Sequence, residues 1–290
     1  MDKKKTIEKF YPRREDDARK YDHGLVIIIG GSKFYTGSPA LSAMAALRSG
    51  ADIAQVVAPE RAANIVASFS PDLITFSVKG DHFTERHLSD LFALTRSGKD
   101  VSRGRVSVVI GGGIGRDEET KEVVRQYIKE IDVPVVVDAD AIYAFEDKRH
   151  IIREHASNSG RVLFTPHLYE FYVLTGKDVK SLNQEERGEA VKESARDYSA
   201  GILLKGEQDI ISDGEVTVKN DMRVPYLTSG GTGDVLAGIA GTLLSRGFSP
   251  LESGEGAAVL NTLAGEMAGK EKGESLIATD VIEKIPQILR

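Results

Sequence analysis

The amino-acid sequence predicts an α/β fold in which a mainly parallel central β-sheet is flanked by helices on both faces. Two observations lead to this class. Short runs of β-branched residues alternate along the chain with longer segments of helical spacing, as they do in βαβ units. Most of the short runs are also continuously apolar, which is typical of strands buried on both faces of a parallel sheet.

Seven apolar runs are predicted strands. They span residues 25–29, 53–57, 73–78, 106–110, 133–137, 161–164 and 202–204. Helical spacing with helix-like ends predicts helices between them, over residues 38–48, 61–69, 117–131 and 185–198. The chain therefore repeats strand and helix over its first two thirds.

The pattern changes after residue 208. The segment DIISDGEVTV (209–218) alternates polar and apolar residues around Asp213-Gly214, a dipeptide that favours a tight turn, and predicts a β-hairpin. Further helices are predicted over 234–245, 251–267 and 280–289. Residues 1–22 are expected to form a polar lead-in that wraps on the surface or is partly mobile, and residues 23–290 a single domain.

Composition and charge exclude several classes of protein. The 290-residue chain has a formal net charge of -6, so it lacks the basic surface that nucleic-acid binding requires. No run approaches the ~18 to 20 apolar residues of a membrane span, and there is no cysteine for disulfide or thiol chemistry. The start MDKKKTIEKFYPRREDD is charged, unlike a secretory signal. We expect a cytoplasmic protein with no nucleic-acid or membrane partner.

Glycines, small hydroxyl residues and acids cluster directly after the predicted strands, where open α/β sheets bind ligands. The segments are GGSKFYTGSPALSA, GGGIGRDEET, DADA, TPHLYE, KGEQD and, after the hairpin, SGGTGD. For any one of these segments alone, turns and helix caps are the better explanation. Six together predict a ligand site, although the chain has neither a P-loop nor the dinucleotide-binding fingerprint.

The segment SGGTGD (229–234) predicts an anion site. Its turn leads into an apolar helix near Asp234, so unpaired backbone N–H groups and the positive end of the helix dipole would face a phosphoryl group with no side chain in the way. Asp234 is then a candidate base for the attacking hydroxyl. The alternative is that Asp234 only stabilises the helix N-terminus, an effect of about 0.3 to 1 kcal/mol.

Three other segments contain candidate site residues, and each of these has an alternative structural explanation. Lys205, which precedes a glycine, is predicted to contact phosphate, or else to end a strand in solvent. Asp138 and Asp140 follow a strand and are candidates, Asp138 first, for holding Mg²⁺ through water, or else for capping a helix, and no metal ligand is firmly assigned. Residues 37–40 are expected to admit a flat ring close to the backbone, at a segment that is in either case a helix start with Pro39 in its first turn.

In order and spacing, longer versions of these segments resemble the NAD(P)H-hydrate dehydratase family of the ribokinase-like superfamily. The similarity runs from about residue 11 to residue 281, through GGSKFYTGSPALSAMAALRSGA, GGGIGRDEET, VVVDADAIYAF, TPHLYEFYVLTG, LLKGEQDIISDG and GGTGDVLAGIAGTLLSRG. The length resembles that of the stand-alone form, without an epimerase domain. The chain departs from the family pattern at TPHLYE, at VPYLTS (224–229) and in the lead-in.

The resemblance implies a repair reaction on hydrated NADH or NADPH. A nucleoside phosphate, ADP or ATP, would phosphorylate the added hydroxyl of the S form, and elimination of phosphate would restore NAD(P)H, leaving AMP if ADP is the donor. The resemblance also implies Mg²⁺ and a homo-oligomer such as a tetramer. Two alternatives stay open: a small-alcohol kinase of the sugar or hydroxymethylpyrimidine type, and a non-catalytic nucleotide-binding regulator.

The resemblance assigns site residues, all of which follow a predicted strand or lie at the glycine turn. The substrate-binding residues are Ala40, Gly115, His167 and Asp234, of which Asp234 is also catalytic. The nucleotide-binding residues are Lys205, Gly206, Glu207, Gln208, Asp209, Thr232 and Gly233.

Overall fold

One mixed sheet forms the centre of the molecule. The computed structural model describes residues 3–158, 161–221 and 223–289, with all side chains except those of residues 154–158, and nine strands of this part of the chain form the sheet. The strands are β1 (Leu25–Ile29), β2 (Ile53–Pro59), β3 (Ile74–Val78), β4 (Val106–Ile110), β5 (Val135–Val137), β6 (Val162–Phe164), β7 (Gly201–Leu204), β8 (Asp209–Ser212) and β9 (Thr217–Asn220). Their order is β3-β2-β1-β4-β5-β6-β7-β8-β9, with parallel pairing up to β7 and antiparallel pairing of β8 and β9.

Helices cover both faces of the sheet. They are α1 (Lys3–Phe10), α2 (Ser38–Arg48), α3 (Glu60–Ala67), α4 (Leu88–Val101), α5 (Glu118–Glu130), α6 (Arg149–Asn158), α7 (Leu168–Thr175), α8 (Gln184–Tyr198), α9 (Thr232–Ser245), α10 (Pro250–Lys272) and α11 (Ala278–Ile288). Short 3-10 helices cover Glu85–His87, Ala139–Phe145, Pro225–Thr228 and Gly273–Ser275. Within the described ranges, no helix is both long and apolar enough to cross a membrane.

The two faces of the sheet carry separate hydrophobic cores. In β1, Val26 and Ile28 pack into the core beneath α2, α9, α10 and α11, whereas Leu25, Ile27 and Ile29 pack into the core beneath α4, α5, α7 and α8. Successive side chains of a strand point to opposite faces, so a strand buried on both faces must be apolar throughout. This packing confirms the α/β class predicted from the continuous apolar runs.

The predicted strands agree with the structure to within two residues at each end, and the hairpin is confirmed. Its turn is held by Asp213, whose Oδ1 accepts hydrogen bonds from the N–H groups of Glu215 and Val216. Four helices were not predicted, namely α1, α4, α6 and α7.

The lead-in does not lie wholly on the surface as expected. It contains α1, in which Phe10 is fully buried and meets the ring of Phe248 edge-on at 5.2 Å. Gly256 of α10 makes room for this ring, since a Cβ at that position would lie 2.9 Å from Phe10. The sequence of the lead-in is polar, and its two buried apolar residues, Ile7 and Phe10, are spaced as one helix face.

The strand order reverses direction between β1 and β4, and the loops that follow these two strands meet there. The N–H of Gly31 donates to the carbonyl of Gly112 at 2.9 Å, and a Cβ on Gly30 would lie only 2.5 Å from the same oxygen. Crevices at such a reversal are where open α/β sheets bind ligands. The fold therefore brings two of the predicted ligand segments together at one edge of the sheet.

Candidate active site

The glycine turn before α9 is built around Gly231. Its φ of +90° is a left-handed conformation, and a Cβ there would lie 2.6 Å from Leu41. The hydroxyl of Thr232 donates to the carbonyls of Leu227 and Ser229 at 2.7 and 2.9 Å, which pins the turn to the preceding 3-10 helix. Because α9 begins at Thr232 rather than near Asp234, Asp234 is the third residue of the helix.

The first turn of α9 offers the predicted anion site. The N–H groups of Gly233 and Asp234 have no acceptor in the described part of the chain, as expected for the first turn of any helix. Gly233 places no side chain over them. An anion at this point would accept hydrogen bonds from both groups and meet the positive end of the helix dipole.

Asp234 lies between this helix start and the loop after β4. Its carboxylate accepts a hydrogen bond from Ser38, and a Cβ on Gly112 would stand 2.7 Å from its Oδ1. Burial, with the nearby carboxylate of Asp138 adding to it, raises the pKa of Asp234 from 3.8 to about 7. A carboxylate with this pKa can accept a proton at neutral pH and release it again, as a general base must.

Asp138 and Lys205 form a buried ion pair beside Asp234. The Lys205 Nζ lies 2.9 Å from Asp138 Oδ1, which also accepts a hydrogen bond from Thr165 at 2.7 Å, and 3.9 Å from Glu170 Oε2. Burial disfavours the Lys205 ammonium, but the carboxylates of Asp138 and Glu170 outweigh burial and raise its pKa. Lys205 therefore stays charged, and the alternative in which it ends a strand in solvent is wrong because its side chain is only 20% exposed.

His167 caps α7 and is held by Glu170. The Nδ1 of His167 accepts hydrogen bonds from the N–H groups of Tyr169 and Glu170, and Glu170 Oε2 accepts from the His167 N–H at 2.8 Å. The unprotonated Nδ1 assigns the ring proton to Nε2, which lies 3.3 Å from Glu170 Oε1. Burial, followed by the charge of Lys205, lowers the pKa of His167, so the ring is neutral at pH 7.

Gly115 and Ala40 offer main-chain rather than side-chain groups. Gly115 has a φ of +93°, and its N–H donates to Asp140 Oδ2 at 3.2 Å. Ala40 is the third residue of α2 and is 5% exposed. Its N–H lies in the first turn of the helix, where N–H groups have no acceptor within the helix. Gly37, Ser38 and Pro39 do precede it as the predicted helix start.

Only part of the predicted nucleotide loop, residues 205–209, lies in this cluster. Lys205 approaches the glycine turn, with its Nζ 3.3 Å from where a Cβ on Gly233 would lie. Gly206 and Glu207 are exposed, and Gln208 hydrogen-bonds Asp221. Asp209 accepts from the Gly206 N–H at 3.2 Å and from Asn220, and burial raises its pKa to about 6. The Asp209 carboxylate thus fixes the conformation of the loop by hydrogen bonds.

Three residues that complete the cluster were not singled out from the sequence. Ser38 bonds Asp234, Thr165 bonds Asp138, and Arg116 bonds Asp140 at 2.5 Å. All three stand shortly after a strand, in segments that were recognised as ligand loops. Their roles depend on neighbours from other loops, which no local pattern shows.

The described residues contain no group of three His, Asp or Glu side chains arranged to hold a metal ion. Asp138 uses Oδ1 for Lys205 and Thr165, while its Oδ2 has no hydrogen-bond partner in the same part of the chain. That free oxygen fits contact with an Mg²⁺ hydration shell, since Mg²⁺ usually keeps several waters and takes one or two carboxylates.

A cavity of about 1130 Å³ lies at the opposite edge of the sheet. It is lined by the lead-in and by residues just before β1 and β4, including Tyr11, His23 and Arg246. It shares no residue with the predicted site, and no predicted catalytic residue faces it. The chemistry is therefore assigned to the carboxyl ends of the strands.

A family model matches almost the whole chain, including the loops described above. The family model described as NAD(P)H-hydrate dehydratase matches residues 26–287. The chain belongs to the NAD(P)H-hydrate dehydratase family. The strand-end loops and the glycine turn described above all fall within the matched range.

Two relatives differ in how much of their length the chain matches. It is 36% identical over 285 residues to the ADP-dependent (S)-NAD(P)H-hydrate dehydratase of Cenarchaeum symbiosum, covering 98% of this chain and 94% of the relative. It is 40% identical over 280 residues to the bifunctional NAD(P)H-hydrate repair enzyme Nnr of Pyrobaculum aerophilum, covering 96% of this chain and 52% of the relative. The chain thus spans about half the length of this bifunctional relative.

Two solved structures show the same fold. A ribokinase-like superfamily protein of Enterococcus faecalis aligns with a TM-score of 0.80 at 22% identity, over 99% of this chain and 93% of that one. The ADP/ATP-dependent NAD(P)H-hydrate dehydratase of Bacillus subtilis, co-crystallised with ATP and Mg²⁺, aligns with a TM-score of 0.77 at 22% identity, over 98% of this chain and 95% of that one. The ribokinase-like fold implied by the sequence is confirmed.

Proposed function

We propose that this chain restores NADH and NADPH from the S form of their hydrates in a nucleotide-dependent reaction. The added hydroxyl attacks the terminal phosphoryl of ADP, which gives a phosphoester and AMP. Phosphate then leaves together with a proton from the neighbouring ring carbon, and the ring double bond is restored. Membership of the dehydratase family and the name of the Cenarchaeum relative support this reaction.

The observation that carries the proposal is the position of Asp234. Its carboxylate, with a pKa raised by burial to about 7, lies in the first turn of α9 beside two unpaired N–H groups. Asp234 takes the proton of the attacking hydroxyl, and the N–H groups stabilise the charge on the phosphoryl group in transfer. A helix cap alone would need neither the burial nor the open turn.

The two substrates approach from different loops in this proposal. Lys205, the residues that follow it up to Asp209, and Thr232 with Gly233 bind the donor. Ala40, Gly115 and His167 contact the hydrate. The pairing of Lys205 with Asp138 next to Gly233 supports the donor side, because a charge-assisted contact to phosphate needs a cation at that point.

ADP is proposed as the preferred donor, with ATP accepted. The name of the Cenarchaeum relative supports ADP, and the Bacillus subtilis protein, whose name includes both nucleotides, supports ATP. Mg²⁺ would be held mainly by the donor phosphates, with Asp138 reaching it through water. Bound there, it would neutralise charge on the transferring phosphoryl group.

We also propose four general features of the protein. These are a lead-in over residues 1–22, a single domain over residues 23–290, assembly as a homo-oligomer such as a tetramer, and a cytoplasmic location. The burial of Phe10 against α10 supports a lead-in that folds together with the domain.

The test is to incubate the protein with hydrated NADH and follow the return of reduced-nicotinamide absorbance. We expect return only with a nucleotide and Mg²⁺, and faster with ADP than with ATP. Return without nucleotide would contradict the kinase-like step. Consumption of donor with no return of absorbance would indicate a kinase that stops at the phosphoester, and no consumption at all would indicate a regulator.

A further inference from the structure

The Arg116 side chain is fixed at the edge of the site by one hydrogen bond and one ring contact, and part of its guanidinium group is left to bind a ligand. Its Nε donates to Asp140 Oδ1 at 2.5 Å, and its guanidinium carbon lies 3.8 Å from the ring centroid of Tyr143. Both partners belong to the 3-10 helix that follows β5. Nη1 and Nη2 donate to no acceptor among the described residues, and the side chain is 54% exposed. A planar cation fixed in this way presents two free donors in a set orientation.

The charge balance of the site requires such a cation. The carboxylates at the strand ends include those of Asp138, Asp140, Glu170 and Asp234, and the cations among them include Lys205 and Arg116. Both proposed substrates are polyanions, because the donor carries a phosphate chain and the hydrated dinucleotide carries a diphosphate bridge. Lys205 lies beside Gly233 on the donor side. The second polyanion needs a cation of its own, and Arg116 offers one with two unpaired donors.

The position of Arg116 in the chain assigns it to the hydrate. It follows Gly115 directly, and Asp140 binds both residues, Gly115 through its N–H and Arg116 through Nε. The same loop packs against the loop after β1, since a Cβ on Gly113 would lie 2.6 Å from Tyr35. Arg116 therefore belongs to a loop at the sheet reversal and directly follows a residue proposed to contact the hydrate.

We propose that Arg116 binds the diphosphate bridge of the hydrated dinucleotide and that Asp140 and Tyr143 are positioning residues for it. The proposal rests on the dehydratase function proposed above. It adds a contact for the part of the substrate that does not react, and such contacts lower KM when they are equal in the ground state and the transition state.

The central variant is Arg116→Met, which keeps much of the side-chain length but removes the cation. We expect the KM for hydrated NADH to rise about 10- to 100-fold, the usual loss for a hydrogen-bonded charge contact, with kcat changed less than about threefold. The donor KM should stay unchanged. Arg96→Met is the matched control, because Arg96 is an exposed residue of α4 outside the strand-end loops, and it should alter neither KM.

Two measurements separate substrate contact from a purely structural role. The hydrate of reduced nicotinamide riboside has no phosphate, so the wild type and Arg116→Met should act on it with equal kcat/KM. The product NADH keeps the diphosphate, so its dissociation constant, followed by nicotinamide fluorescence, should rise by the same factor as the KM for the hydrate.

Several outcomes would overturn the proposal. A loss of kcat/KM that is as large on the riboside hydrate would show that Arg116 only stabilises its loop. A raised donor KM with an unchanged hydrate KM would assign it to the donor, and unchanged values for both would remove it from binding. If the wild type itself returned no NADH, the proposed function would fail, and the NADH titration would still test the contact.

Discussion

Replacing Asp234 by Asn tests the proposed base through stability as well as rate. Burial and the carboxylate of Asp138 raise the pKa of Asp234 from 3.8 to about 7. Each pKa unit corresponds to about 1.4 kcal/mol, so the ionised carboxylate destabilises the folded state by up to about 4 kcal/mol above pH 7. Asn keeps the size of the side chain and can still accept the hydrogen bond from Ser38. Asp234→Asn should therefore stabilise the protein.

The sign of this effect depends on pH. Well below pH 4 the carboxyl is protonated in both the folded and unfolded states, so there the substitution should change the melting temperature little. The penalty grows as pH rises from about 4 to about 7, because the unfolded chain ionises first, and it is constant above that range. The gain in melting temperature should therefore be largest at pH 8, where each kcal/mol corresponds to roughly 2 to 4 °C.

Turnover should change in the opposite direction. Loss of a general base lowers turnover by roughly 10²- to 10⁴-fold, while donor binding at the glycine turn should survive. In the wild type, kcat/KM should rise with pH through an apparent pKa near 7, and this rise should be absent in Asp234→Asn. Single-turnover rates and thermal melts of the two proteins between pH 4 and pH 8 are the assay.

Glu252 in the first turn of α10 provides a matched control of opposite sign. Burial acts against ionisation there, but the N–H and hydroxyl of Ser249 outweigh burial and lower the pKa of Glu252. Glu252→Gln should therefore lower the melting temperature at pH 7 and leave turnover intact. Near-wild-type turnover in Asp234→Asn, or a melting difference that does not vary with pH, would refute the assignment of Asp234 as a buried base.

Two further predictions concern the groups around Asp234. Lys205→Met should raise the donor KM at least about tenfold and move the pH profile upward, since the Lys205 charge lowers the pKa of Asp234; steady-state kinetics against pH measure both, and an unchanged donor KM would contradict the contact. Gly112→Ala should cut turnover roughly 10- to 100-fold, because its Cβ would lie 2.7 Å from Asp234 Oδ1. Gly188→Ala in α8, where a Cβ finds ordinary contacts of 3.5 Å or more, should instead stabilise the protein by about 0.5 to 1 kcal/mol and leave turnover unchanged. Equal turnover in the two alanine variants would show that Gly112 is not needed for space.

The strands could be predicted because burial on both faces leaves a direct mark on the sequence. β1 and β4 are apolar at every position except Ser107, and their predicted bounds agree with the structure. Helix α7 had no comparable signal. It is short, and its first turn is capped by a histidine side chain, a residue type outside the usual capping set. Helix α1 depends on a gap over Gly256 that receives Phe10, which is a property of tertiary packing.

The candidate site shows the same division between local and long-range information. The loops, the glycine turn and Asp234 follow from position after strands. The ion pair of Lys205 and Asp138 joins residues 67 positions apart, and the hydrogen bond of Thr165 joins it from a third loop. The helix-dipole argument for Asp234 predicted a small loss of stability on removing its charge. Burial reverses that sign, and burial is not visible in a glycine-rich stretch of sequence.

The electrostatics of the glycine turn explain why a carboxylate and an anion site occupy the same helix start. A bound donor brings negative charge towards Asp234, and like charges raise the pKa of a carboxyl further. A base whose pKa rose far above 7 would be protonated and inactive at neutral pH. Lys205 and the positive end of α9 act in the opposite direction, and Mg²⁺ on the donor phosphates would add to them. In the proposed site, the cation that binds the donor would also favour the ionised form of Asp234, so Lys205 should affect both donor affinity and the pH dependence of the reaction.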